Sequence, residues 1–141
     1  MPVKMSREEL QSFLVTEFPQ ADGKFIVQNV APNHVTVLMP VSDKHLRPGG
    51  TVSGATIFAL ADVSFYLAVL AMIGPRALAV TTNCSIDFLR KPAAGVDLVA
   101  QVRLLKLGRV LAVGDVLIHS QGLADPVARA ALTYSIPAAS H

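Results

Sequence analysis

A carboxylate stands in this chain where folding disfavours one. Asp62 is the only charged residue between Arg47 and Arg76. Its surroundings, Ser53-Gly-Ala-Thr-Ile-Phe-Ala-Leu-Ala-Asp62-Val-Ser-Phe-Tyr-Leu-Ala-Val-Leu-Ala-Met72, are apolar enough to read as a buried helix. Carboxylates are rarely buried without a partner, and an unpaired one in an apolar interior costs several kcal/mol or more. Asp62 is therefore either satisfied locally, with Ser64 and Thr81 as candidate donors, or used as a general base or nucleophile. Gly54, at the start of the same helix, is the second candidate. The first N–H groups of a helix have no intrahelical acceptor and carry partial positive charge, and a glycine leaves room for a ligand to approach. The eight residues from Gly54 to Asp62 amount to ~12 Å along a helix axis.

Other reactive side chains form no pattern. His34, His45, His119 and His141 are scattered without ligand spacing, so no metal site is expected. Cys84 sits in a strand-like stretch with no histidine nearby and reads as a small core residue. Ser53-Gly-Ala-Thr lacks the flanking glycines of a nucleophile elbow, and Ser53 reads first as an N-cap.

The elements that must position Asp62 follow from periodicity. Ser6 to Glu17 has a capping-box start, Ser6 with Glu9, and places Leu10, Phe13 and Leu14 on one face. It predicts a helix within an N-terminal segment 1–20, stopped by Pro19. Lys24 to Met39 predicts a hairpin turning at Asn29 to Asn33, and Pro40 to Thr51 a loop. The helix 53–73 is apolar on all faces and should be covered on every side, ending at Gly74-Pro75. Leu78 to Leu89, then the alternating runs from Val96 to Leu104 and Val110 to Ile118, then Val127 to Ile136, predict strands. The pattern is α+β, five to six antiparallel strands curved around one long helix in a single domain spanning 1–141.

Composition narrows the function. A net charge of +2, with no basic run longer than Arg90-Lys91, gives no nucleic-acid signature. The run Val63 to Ile73 is shorter than the ~20 residues a bilayer crossing needs, so no membrane association is expected. The N-terminus lacks a signal-peptide apolar region and Cys84 is the single cysteine, which fits a reducing, cytoplasmic setting. Hydrophobic content of 52% against 16% charged residues suggests surface kept for subunit contacts and hence an oligomer.

The ordered set of motifs resembles the hotdog-fold acyl-CoA thioesterases of the PaaI-like, phenylacetate-degradation type. It comprises Pro48-Gly-Gly-Thr-Val52, Gly54, Ile57-Phe-Ala-Leu-Ala-Asp62, Ala79-Val-Thr81, Asp87-Phe-Leu-Arg-Lys-Pro-Ala93, Gly108-Arg109 and Ala131-Leu-Thr-Tyr-Ser-Ile-Pro137. The resemblance spans roughly residues 24–137 in order. It implies a homo-oligomer, a dimer or dimer of dimers and expected as a tetramer, with sites at subunit interfaces. It implies an acyl-CoA thioester as substrate and no cofactor. Asp62 takes the place of the family's helix carboxylate, Gly54 that of its oxyanion donor, and Thr81 that of its assisting hydroxyl. Where the family places His nine residues before the acid, this chain has Ser53. Where the family often places Asn six residues earlier still, it has Arg47. Both are candidate substrate contacts, Arg47 through its bidentate fork. Arg90, Lys91 and Arg109 are implied to meet the phosphates of coenzyme A. Two other roles stay open: acyl-CoA binding without catalysis, and a hydratase or dehydratase pairing the acid with His34 or His45.

Overall fold

The computed structural model describes residues 2–42, 46–47, 51–76 and 78–138. Helix α1 runs Arg7–Glu17, with Ser6 as N-cap and the predicted capping box to Glu9 formed in both directions. Its Leu10 and Leu14 are buried. A short 3-10 turn, Pro19–Ala21, leads into strands β1 (Ile26–Ala31) and β2 (His34–Met39). Their turn is tighter than predicted. Asn29, Val30 and Ala31 pair with β2, and Asn33 takes the left-handed conformation (φ 62°) that closes the turn, one that asparagine tolerates better than most residues. Inside the predicted loop, β3 (Leu46–Arg47) and β4 (Thr51–Val52) form a small two-stranded sheet.

Helix α2 runs Gly54–Ile73 with Ser53 as its N-cap, and Gly74 at φ 92° ends it. Strands β5 (Val80–Phe88), β6 (Leu98–Leu107), β7 (Leu111–Ser120) and β8 (Ala128–Ser135) complete the chain. Six strands form one antiparallel sheet in the order β1-β2-β6-β7-β8-β5. Alternation behaves as predicted in two strands: Leu98, Ala100, Val102 and Leu104 of β6 turn inward, as do Ala112, Val116 and Ile118 of β7, although Val110, placed in the same series, is exposed ahead of β7. Ala128, Ala130 and Leu132 of β8 also turn inward. They close over α2, which packs on β2, β6 and β7. This is the hotdog architecture that the resemblance implies.

Two expectations about α2 need correction. Counted through Asp62, its 20 residues have the length and mean hydropathy (2.1) of a bilayer-crossing helix, although the run after Asp62 alone is too short. Here it is the core helix, and 67% of that window is buried in the fold. Nor is it covered on every side. Ser64 to Met72 are buried, but Phe58 is 39% exposed and Ala55 and Ala59 are also exposed. One chain's sheet wraps the second half of the helix and leaves part of the first half bare.

The close approach of helix to sheet depends on Gly114. A Cβ there would collide with the Arg103 carbonyl and lie 3.0 Å from the Phe65 ring. Overpacking of this kind typically costs ~1–3 kcal/mol. Gly114→Ala should lower unfolding free energy by at least that much in urea titration, whereas alanine at the open turn residue Gly108 should cost less.

Candidate functional site

Asp62 is half-buried on α2 and faces two paired strands. Thr81 on β5 and Tyr134 on β8 are directly opposite each other in the strand register, and both hydroxyls reach the same carboxylate oxygen. Thr81 Oγ1 donates to Asp62 Oδ1 at 2.6 Å, and the Tyr134 hydroxyl donates to it at 2.8 Å. That hydroxyl also lies 3.0 Å from the Asp62 carbonyl oxygen. The register slips between Thr81 and Asn83, an irregularity of the kind that re-aims side chains beside sites. Among the described residues, Oδ2 takes no hydrogen bond. Ser64, the other donor considered from sequence, is fully buried, and its hydroxyl has no partner among the described residues. It does not serve Asp62.

Sequence reasoning missed Tyr134. A signal was available, since a buried tyrosine hydroxyl usually finds a polar partner and the chain has only two tyrosines, Tyr66 and Tyr134. Both line the cavity that opens on Asp62, of about 700 Å³. Burial pushes the Tyr134 phenol far above its ordinary range; the Thr81 hydroxyl pulls the other way, and the charge and hydrogen bond of Asp62 add to the rise. Burial, helped by Glu17, pushes Tyr66 up to about 12. Tyr134 is thus a fixed donor at any ordinary pH. Cys84 on β5 is half-buried, and burial, then Asp62, raises its thiol. That disfavours the thiolate a nucleophile would need.

Gly54 is the first residue of α2 but does not meet Asp62. It lines a separate cavity of about 410 Å³ with Phe88, Arg90 and Lys91. A Cβ on Gly54 would lie 3.1 Å from the Phe88 ring, so the glycine also makes room for that side chain. Ser53 acts as the cap: its hydroxyl accepts from Thr56 N at 3.2 Å and lies 2.9 Å from Thr56 Oγ1. Arg90 donates to the Pro126 carbonyl, and Lys91 is exposed. Arg109 is exposed in the β6–β7 turn. The next strand residue, Leu111, stands in line with Ser135 and Val80, at the Thr81 end of the sheet, whereas Arg90 follows Phe88 at the opposite end of β5. The three implied phosphate contacts are therefore split. Arg47 lies on β3, but its side chain, like Pro48-Gly49-Gly50, His45 and His141, falls outside the described residues. No histidine lines the Asp62 cavity among the described residues, and His34 sits at the far end of the β1–β2 hairpin. No group of three His, Cys, Asp or Glu that could hold a metal forms among them either.

Residues 49–126 match the family model described as Thioesterase superfamily. A Silicibacter sp. protein provisionally assigned as a thioesterase is 54% identical, with a TM-score of 0.91 covering 97% of this chain and 95% of that one. A variant of the phenylacetic acid degradation protein PaaI of Thermus thermophilus is 30% identical, with a TM-score of 0.71 over 83% and 97%. A Streptococcus mutans protein, solved bound to acetyl-CoA, is 32% identical, with a TM-score of 0.71 over 81% and 89%.

The raised tyrosines have a measurable consequence. An unfolded tyrosine ionises near 10, whereas folded Tyr66 holds its proton to about 12 and Tyr134 holds its own higher still. The folded state then binds more protons than the unfolded one above pH ~10, so stability present below that pH falls as pH rises through it. Tyrosinate absorbance should be absent at pH 10 in the folded protein and appear only with unfolding or near pH 12. A step at pH 10 without unfolding would refute this environment.

Proposed function

We infer, for a chain that belongs to the thioesterase superfamily, that it hydrolyses an acyl-CoA to a free acid and coenzyme A with Asp62 as the reacting carboxylate. The observation that carries this reading is the asymmetry of Asp62: Oδ1 receives both Thr81 and Tyr134, which leaves Oδ2 to act in the cavity. Water deprotonated by Oδ2 attacks the thioester carbon, and the new C–O bond leaves a negative charge on the former carbonyl oxygen. A helix N–H from Gly54 stabilises that oxyanion. Collapse breaks the C–S bond, and the proton held by Asp62 passes to the departing thiolate.

Gly54 and Asp62 of one chain open on different cavities, so the reading needs a second copy. Strand β5 is the outer strand of the sheet next to β8, with Val80 and Phe88 at its ends 55% and 54% exposed. Two copies of β5 paired antiparallel bring the Thr81–Asp62 end of one against the Phe88–Gly54 end of the other. The same pairing brings Arg90 and Lys91 of one copy to the end that carries Arg109 of its partner, so that coenzyme A phosphates meet groups from both. It also covers the bare first half of α2. A homodimer is the minimal unit, a tetramer a pair of these, and the cytoplasm the setting. A hydratase has no histidine to work with among the described residues lining this cavity.

Thiol release from aliphatic, aromatic and dicarboxylic acyl-CoAs, with light scattering for the oligomer, tests the reading. Asp62→Asn should lower kcat by ~10²–10⁴. Gly54→Pro keeps a residue that first helical positions accept but removes the N–H, and should cost ~10²–10³ in kcat beyond Gly54→Ala, which crowds Phe88 likewise but keeps the N–H. In single turnover with heavy-oxygen water, the label enters the acid product when Oδ2 acts as base, and Asp62 itself when Oδ2 attacks directly. Undiminished turnover in Asp62→Asn, or acyl-CoA binding with no turnover by the wild type, defeats the catalytic assignment. Faster dicarboxylic turnover that is lost in Arg47→Ala would assign Arg47 to an anionic acyl terminus.

A further inference from the structure

One wall of the cavity beside Asp62 is built by a segment that lies outside the residues matching the family model. That match begins at residue 49, whereas Leu14, Phe18, Gln20, Ala21, Lys24 and Phe25 all line the cavity. They form one wall. The facing wall is a single stripe of α2, Ala55, Ala59, Asp62, Val63 and Tyr66, whose spacing of about one turn per step keeps it on one helix face. Small residues at Ala55 and Ala59 leave the stripe open before the acid, and the large Tyr66 closes it one turn beyond.

Phe18 meets that closing residue. The two rings touch edge to face, with centroids 5.9 Å apart and planes at 83°. Tyr66 in turn lies 6.3 Å from the Tyr134 ring, and Tyr134 donates to Asp62. Three rings therefore link the end of α1 to the acid. Phe18 is held in place by its own backbone: its N–H donates to the Leu14 carbonyl at 2.8 Å, and Pro19 fixes the chain that leaves it. It is 36% exposed, so part of its ring is still available to a ligand.

We propose that the segment Leu14 to Phe25 forms the acyl-recognition wall, and that Phe18 sets how long an uncharged, apolar acyl group can be. The proposal rests on the acyl-CoA reading above. Most of the lining is apolar; Gln20 and Lys24 are the polar exceptions on this wall, and the exposed Lys24 leaves its charge in water and not against the acyl tail. Removing the Phe18 ring lengthens the apolar channel beyond Tyr66, and enlarging it shortens the channel.

Calorimetric binding of S-alkyl-CoA thioethers of short, medium and long chain decides the matter without requiring turnover. Phe18→Ala should raise the affinity ratio of long over medium chains, by about fourfold for each methylene that gains contact. Phe18→Trp should move the ratio the other way. Ratios within one variant are insensitive to the fraction of molecules folded. Chain-length ratios unchanged in both variants overturn the proposal, as does tighter binding of ω-carboxyalkyl thioethers that is lost in Lys24→Met. Thioethers that bind with the expected ratios while no acyl-CoA is hydrolysed would sink the catalytic reading and leave the wall standing.

Discussion

The architecture depends on one requirement: a carboxylate placed on the core helix must be solvated by the protein. Asp62 meets it with two hydroxyls, from Thr81 and Tyr134. Hydrogen bonds to a charged group contribute roughly 1.5–3 kcal/mol each. Asp62 is half-buried, so these two donors replace the water its packed side has lost. Because they come from paired positions on adjacent strands, the single contact fixes α2 against both β5 and β8. The Tyr134 ring then packs 5.2 Å from Phe65, and Phe65 reaches the sheet only where Gly114 leaves no side chain in its way. A polar need at one residue thus sets the packing two layers away.

Under the proposed hydrolysis, the same helix explains why one copy would be incomplete. Its first turn offers an N–H donor and its third an acid, and a straight helix cannot bend the two toward one small group. The half of α2 that carries them is also the half left partly exposed, with Phe58, Ala55 and Ala59 uncovered. The outer strand β5 exposes apolar residues at both of its ends. The proposed antiparallel pairing would cover both while joining unlike ends. One geometric deficit and one hydrophobic deficit have the same remedy.

Much of this was legible in the sequence. Period-two alternation gave the inward faces of β6 and β7, capping chemistry gave both helix starts, and the lone charge gave Asp62. What could not be read was partnership across long separations. Tyr134 is seventy-two residues from Asp62, and nothing in its local pattern distinguishes it from other inward residues of β8. Of the two candidate donors, Thr81 is used and Ser64 is not, because two residues apart on a helix is the wrong face. The hairpin turn was misplaced because Asn29 has the composition of a turn but the pairing of a strand, and tertiary pairing prevailed over local preference. The split of Arg90 and Lys91 from Arg109 is a matter of topology, which spacing along the chain does not encode.

Ser53 shows how a changed residue can redistribute a task. In the family that the chain resembles, this position carries His, a side chain long enough to reach a bound acyl group. Ser53 uses its hydroxyl on Thr56 N–H and lies against Thr56 Oγ1, so its acceptor capacity goes to the helix end. A cap of this kind typically contributes ~1 kcal/mol to the helix, and breaking it to contact substrate would forfeit that. On the proposed acyl-CoA reading, recognition of the acyl group falls to what remains in the cavity, and what remains is mostly aromatic and aliphatic, with Phe18 and Phe25 entering from the N-terminal segment. Such a wall, polar only at Gln20 and Lys24, has few hydrogen bonds with which to read its ligand. It discriminates mainly by length and shape, at ~1–3 kcal/mol for a methylene more or less, so selectivity by this site is graded and not absolute.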